Sequence, residues 1–333
     1  MLDILCIGDS KLDVFLHIPT DNPFINLDAE KKELMVKYGD KINVEKYVFD
    51  IGGNASNTAV GMARLGLDVG LCAETGNDEF SQKILNRLRE EKINTDRLIQ
   101  TKNQKSSFSV ILSYKGDRTI FQEDIKREHK FNLDNIESKF IYLTSLGEIW
   151  EETYGKVFEI VRSTGAKLAF NPGVLQITKK DKYVLDIIEM TDYLFVNKQE
   201  AEELLYGKEL NLEIKDDKNL IKRLLFGLKS MGAKNVIITD GINGSYIEDS
   251  VNNFSHLGIV KAELIEQTGA GDAYTAGFLA AVINDLPVKE AMKWGALNSS
   301  SVIQKVGAQE GLLTKLELGA KLKELTDLQP QAI

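Results

Sequence analysis

The residues best placed for chemistry are Thr268-Gly269-Ala270-Gly271-Asp272. Two glycines and an alanine stand before an acidic residue at the mouth of an apolar segment with helical spacing. Such a helix start has unpaired backbone N–H groups and the positive end of the helix dipole. Residues without bulky side chains let an anion reach those N–H groups. An Asp beside them can take a proton from an attacking hydroxyl. Anion cradle and base together suit phosphoryl transfer to an alcohol. The same string also fits a plain glycine turn closed by an acidic cap. Two other phosphate motifs are excluded. No G-x-x-x-x-G-K-[ST] run occurs, and Tyr274 stands where a dinucleotide fingerprint starting at Gly269 needs its third glycine.

The rest of the chain narrows the partners. A formal net charge of −9 argues against a nucleic-acid or acidic-membrane surface, and no apolar run is long enough to span a bilayer. Cys6 and Cys72 both lie in apolar runs, so buried reduced thiols are expected rather than a zinc or disulfide framework. The Met-Leu-Asp-Ile-Leu start has neither a basic nor a long apolar segment, so a cytoplasmic protein is expected. His17, His129 and His256 have no metal-ligand spacing, and only His17 falls near the expected site.

The elements that must position the turn alternate. Leu2–Gly8, Val69–Ala73, Phe140–Leu143, Lys167–Phe170, Tyr193–Val196 and Asn235–Thr239 read as short buried strands. Helical spacing falls between them at Asn54–Leu65, Phe80–Glu91, Glu151–Ser163, Lys198–Leu205 and Lys218–Met231. That order predicts crossover units, a mainly parallel sheet and helices on both faces. Tyr246–Ile259 reads as a late antiparallel hairpin, Ala270–Ile283 and Val288–Gln304 as paired helices, and Lys315–Leu325 as a closing helix. Asn211–Asp217 reads as a polar loop. Val14–Ile18 with Glu33–Asp50, and Ser106–Gln122 with a turn at Lys115-Gly116-Asp117, break the alternation with period-two patterning. They predict a small lid sheet whose edges or apolar face favour a homodimer.

On these residues the chain resembles the ribokinase-like (PfkB-type) carbohydrate kinases over nearly its whole length. The resemblance rests on motifs in one order: Asp13; Gly52-Gly53-Asn54-Ala55-Ser56-Asn57-Thr58-Ala59 running into Ala63-Arg64-Leu65-Gly66; Gly76-Asn77-Asp78 with Gly116-Asp117-Arg118-Thr119; Asn197-Lys198-Gln199-Glu200; Thr239-Asp240-Gly241 with Gly244; and the Thr268–Asp272 turn. It implies an α/β three-layer sandwich with a mainly parallel central sheet. Residues 1–12, 51–104 and 124–333 would form the large domain, and 13–50 with 105–123 a discontinuous β lid.

It also implies roles. Asp272 would be the general base, and Gly269, Ala270 and Gly271 an anion hole for the transferred phosphoryl group. Asp13, Gly52, Gly53 and Asn57 would hold the acceptor, since a carboxylate and an amide suit hydroxyls that both donate and accept. Asn197, Glu200, Thr239, Gly241 and Asn298 would face ATP, with Glu200 meeting Mg2+ through water. Each has a plainer reading: a helix cap for Asn197, a solvated acid for Glu200, an ordinary turn at Thr239 and Gly241, and an exposed polar helix face for Asn298.

The chain also departs from the family. Glu266 and Gln267 stand where the family has an Asp and a small hydroxyl residue beside a monovalent cation, so a K+ site at Glu266 is an open expectation, with Val306-Gly307-Ala308 resembling the segment that supplies carbonyls. Asn54 stands where ribokinases carry a Lys, which points to an unphosphorylated acceptor unless Lys41 or Arg118 substitutes.

The implied activity is ATP-dependent phosphorylation of a primary hydroxyl on a free pentose or hexose. A nucleoside kinase is the alternative, with Phe15, Phe24, Tyr47 or Phe108 available to stack on a base. A non-catalytic sensor on the same fold fits less well, because Asp272 is present.

Overall fold

The computed structural model describes residues 1–28, 30, 33–115, 117–123, 125–207 and 217–333. Gly116 of the expected lid turn and residues 211–216 of the polar segment lie outside them.

The first strand, Leu2–Ile7, shows how the layers arise. Successive side chains of a strand point to opposite faces. Ile4 and Cys6 enter one core, with Ala59 and Met62 of helix Asn54–Arg64 and Phe278 of helix Ala270–Ile283. Leu5 and Ile7 enter the other, with Val157 of helix Glu151–Thr164 and Leu224 of helix Asp217–Ser230. Both faces are covered, which is why these strands read as continuous apolar runs. Each fully buried Leu, Ile or Phe contributes about 1.5–3 kcal/mol.

The main sheet has nine strands in the order Gln331–Ala332, Phe254–Leu257, Ser245–Glu248, Asn235–Thr239, Tyr193–Asn197, Lys167–Phe170, Ser138–Leu143, Leu2–Ile7, Val69–Cys72. The pairs from Val69–Cys72 to Asn235–Thr239 are parallel, and those beyond are antiparallel. The fold is the three-layer α/β sandwich expected, with the late hairpin in place. Among the described residues no helix is long and apolar enough to cross a membrane.

The lid sheet has the order Asp117–Gln122, Phe108–Tyr114, Lys11–His17, Lys46–Gly52. The expectation that all of Glu33–Asp50 belongs to it is corrected. Glu33–Val36 pairs instead with Ile25–Asp28 as a separate hairpin. Tyr114, Ile18 and Ile25 form a small core that ties this hairpin to the lid.

Two helices were not anticipated, Val174–Lys179 and Lys182–Met190. Lys180, at φ 43°, breaks the chain between them, and Asp181 caps the second by accepting from the N–H of Val184 at 3.2 Å. Helix Ala270–Ile283 is buried from Ala273 to Val282, so its first turn sits on a platform packed all round.

Candidate active site

Asp272 occupies the first turn of that buried helix. Asn57 Nδ2 donates to Asp272 Oδ2 at 2.9 Å, and Gln309 Nε2 donates to Asn57 Oδ1 at 3.0 Å. Arg64 Nη1 donates to the carbonyl of Gln309 at 2.8 Å while its Nε and Nη2 grip Glu91. A chain of polar contacts thus runs from an ion pair to the carboxylate. Burial pushes the Asp272 carboxyl up to about 7; the Asn57 bond and Lys11 pull it down, and the Glu200 and Asp13 charges push it further up. A carboxylate poised near neutrality is suited to proton abstraction.

Gly269 caps the helix at φ 79°, in the left-handed region, and a Cβ there would lie 2.5 Å from that of Ala308. Only glycine meets both conditions without strain. Of the anion hole expected from Gly269, Ala270 and Gly271, the Ala270 N–H is engaged within the turn, donating to the carbonyl of Gln267 at 3.2 Å. Among the described residues the N–H groups of Gly271 and Asp272 have no acceptor, as the first turn of a helix requires. A Cβ at Gly271 would meet nothing within 4 Å, so the helix mouth is open on that side.

Asp13 and Gly52 meet closely: a Cβ at position 52 would lie 1.9 Å from Asp13 Oδ2. Gly53 is the N-cap of the helix that carries Asn57. Asp13 is 5% exposed, and burial pushes its carboxyl up to about 6 against the opposing effects of Lys11 and the Ser109 hydroxyl. A cavity of about 240 Å³ is walled in part by their chain neighbours Lys11 and Asn54, with Glu74, His129, Gln176 and Glu200; Asp13, Gly52 and Gly53 themselves are not in its wall. Asp13 Oδ1, His129 Nε2 and Gln176 Oε1 are buried without a hydrogen-bond partner among the described residues. Buried polar atoms of this kind call for a partner, and a polyol supplies both donors and acceptors.

Sequence reasoning missed Lys11 and the pair Glu74–His129, whose Oε2 and Nδ1 lie 3.3 Å apart. Lys11 had a signal, since it stands two residues before Asp13 and so on the same face of the strand. Lys41, named as a substitute cation, is exposed and does not line the cavity. Glu74 and His129 are brought together from distant segments and had no local signal.

Parallel pairing sets Asn197 beside Thr239 at adjoining strand ends, and Gly241 begins the turn that follows. Asn197 and Glu200 form a reciprocal cap: each side chain accepts from the other's backbone N–H at 2.8 Å. For Asn197 this is the plainer reading, the helix cap; Glu200, whose plainer reading was a solvated acid, instead lines the cavity and acts on Asp272. Burial, the largest cause, raises the Glu200 pKa. Two carboxylates in mutual range would gain from a divalent cation between phosphates, so the donor set fits Mg2+ held mainly by phosphate and water.

Asn298 is corrected. It is fully buried, its Nδ2 donating to the Ala273 carbonyl at 2.8 Å and its Oδ1 accepting from the Leu313 N–H at 3.0 Å. Neither a nucleotide contact nor an exposed helix face describes it; it locks the first turn of the Asp272 helix to its neighbours.

The K+ expectation at Glu266 meets a poor fit. Its Oε1 accepts from the Gln267 N–H at 3.0 Å, the Thr268 N–H at 3.2 Å and the Thr268 hydroxyl at 2.9 Å. Its Oε2 accepts from the Ser113 hydroxyl at 2.8 Å. Oε1 is thus fully engaged, and Oε2 keeps a single open direction beside the Ser113 bond.

The profile of the pfkB family carbohydrate kinases matches residues 21–315. A ribokinase of Lactococcus lactis is 26% identical over 295 residues, covering 86% of this chain and 90% of the relative. A nucleoside kinase of Methanocaldococcus jannaschii is 26% identical over 321 residues, covering 94% of each. A 2-dehydro-3-deoxygluconokinase of Bacillus subtilis is 24% identical, covering 86% and 90%. Among solved structures, an Arabidopsis thaliana ribokinase complexed with ribose and ATP superposes with a TM-score of 0.77 at 18% identity, covering 97% of this chain and 99% of that one. A Thermotoga maritima ribokinase gives 0.76 at 20% identity, covering 97% and 100%.

Proposed function

The chain belongs to the pfkB family of carbohydrate kinases, and from that premise we propose that it transfers the γ-phosphoryl group of ATP to a primary hydroxyl of a free pentose or hexose. The observation that carries the proposal is the conjunction at the mouth of one buried helix. Asp272, raised to about 7, lies beside the open N–H groups of its own first turn and is coupled electrostatically to Glu200, which lines the cavity.

In the proposed reaction Asp272 takes the proton of the acceptor hydroxyl as its oxygen attacks the γ-phosphorus. The bond to the β–γ bridging oxygen breaks, and ADP leaves. The Gly271 N–H and the helix dipole stabilise charge on the phosphoryl oxygens. Asn57 holds the Asp272 carboxylate in one orientation, Asp13 and Lys11 hold acceptor hydroxyls, and the lid excludes water. Asn197, Thr239 and Gly241 line the nucleotide side. Mg2+ would neutralise phosphate charge near Glu200.

A sugar is favoured over a nucleoside by the cavity wall, where charged and amide groups stand beside aliphatic ones and, among the described residues, no Phe, Tyr or Trp appears. The rings considered for base stacking are engaged or placed elsewhere. Phe15 is fully buried, Phe108 packs on Phe80 at 6.1 Å, and Phe24 lies under Lys37. Tyr47 is exposed and packs on Phe49. The Methanocaldococcus relative keeps the nucleoside reading as the competitor. ATP turnover with ribose, fructose, 2-dehydro-3-deoxygluconate, adenosine and guanosine separates them: turnover on free sugars is expected, and turnover confined to nucleosides would reject the sugar reading.

A further inference from the structure

The turn that carries the anion cradle is tied to the lid through one carboxylate. Glu266 is 5% exposed, and beyond its bonds to Gln267 and Thr268 it meets two lid residues. Ser113 donates to Oε2 at 2.8 Å, and Arg118 Nε stands 3.9 Å from Oε1. Arg118 Nη1 also reaches Gln267 Oε1 at 3.5 Å. Ser113 and Arg118 face each other across the antiparallel lid pair, so their side chains share one face and converge on the same acid. A buried carboxylate needs a compensating charge, and here the guanidinium is the nearest one. Oε1 is engaged three times and faced by a guanidinium, which leaves a monovalent cation one open direction on Oε2 and a charge already offset.

We propose, building on the kinase reading above, that Arg118 and Ser113 take the place of a monovalent cation at Glu266. They position the Thr268–Gly271 turn from the lid, so phosphoryl transfer is independent of K+ and depends on the lid being seated. Arg118 is a positioning residue in this account, acting through Glu266 and the turn rather than on a phosphorylated acceptor. Glu keeps the charge of the shorter Asp and adds a methylene, which lets the carboxylate reach the lid.

The test compares melting midpoints and steady-state rates in potassium and tetramethylammonium chloride at equal ionic strength. The proteins are wild type, Arg118→Ala, Arg118→Lys and Ser113→Ala. Wild type is expected to give the same midpoint and the same kcat in both salts. Arg118→Ala is expected to lose about tenfold in kcat, the scale of one charge-assisted contact, with the acceptor KM little changed. Potassium or guanidinium ion should restore part of that loss in this variant alone, and Arg118→Lys should retain most of the rate. Ser113→Ala gives a smaller loss of the same kind and keeps the test decisive if Arg118→Ala does not fold. A wild-type midpoint or kcat that rises with potassium overturns the proposal, as does Arg118→Ala turning over at the wild-type rate. Wild type inert toward every sugar and nucleoside would instead count against the kinase reading, and the midpoints would still decide this one.

Discussion

Asn57 donates to Asp272 across 215 positions of sequence, its Nδ2 standing 2.9 Å from Oδ2. Asn57 comes from the helix after the Gly-Gly turn, and Asp272 from the mouth of the buried helix. That bond lowers the Asp272 pKa against the effect of burial. Asn57→Ala should therefore move the apparent pKa of kcat/KM upward and reduce kcat/KM at neutral pH by about tenfold or more. A pH–rate profile checks it; an unshifted profile would separate the two residues functionally.

The proposed base requires its ionised form. With Asp272 raised to about 7 in the free protein, kcat/KM for the acceptor should rise with pH through about 7 and then level. Stability should run the other way. Asp272, Asp13 and Asp50 have native pKa values pushed up to about 7, 6 and 6 from 3.8. The native state therefore binds more protons than the unfolded chain between 3.8 and those values. Their contribution to stability is greatest at the acid end and is lost as pH rises through that window. Melting midpoints of wild type and Asp272→Asn across pH 5–8 check the sign. The variant should gain on wild type as pH rises.

Lys11 lines the cavity and shares a strand face with Asp13. Lys11→Met keeps the stem and removes the ammonium. It should raise the acceptor KM by about tenfold while the KM for ATP changes little. Initial-rate kinetics with each substrate varied in turn checks this.

Tyr47 is 63% and Phe49 48% exposed, with rings 5.7 Å apart on an edge strand of the lid sheet; Phe121, on the opposite edge strand, is 57% exposed. Apolar edge strands of this kind favour pairing with a second copy. Light scattering should find a dimer that Phe49→Ser or Phe121→Ser shifts toward monomer. A monomeric wild type at micromolar concentration would reject a lid interface.

What the sequence made legible follows from its physics. Strands buried on both faces and a helix apolar all round carry their own signal, so the alternating sheet was readable and helix Ala270–Ile283 was readable to its ends, while the short helices Val174–Lys179 and Lys182–Met190 were not. The turn at Gly269 was readable because only small residues fit there. Where a side chain's partner lies far along the chain, the sequence was silent. Asn298 was read as a nucleotide-side amide because nothing local reveals that the Ala273 carbonyl and the Leu313 N–H close on it. Glu266 looked like an ion ligand because the lid that claims it sits some 150 residues earlier, at Ser113. The Ile25–Val36 hairpin has the same cause: period two marks strands, and pairing is decided by packing on Tyr114.

The most direct test of the central claim is Asp272→Asn, which removes the base and keeps the shape. With a turned-over acceptor and ATP, kcat should fall by about 10²–10⁴-fold, while calorimetry shows acceptor and nucleotide binding close to wild type. Turnover near the wild-type rate would contradict the assignment of Asp272 as the base.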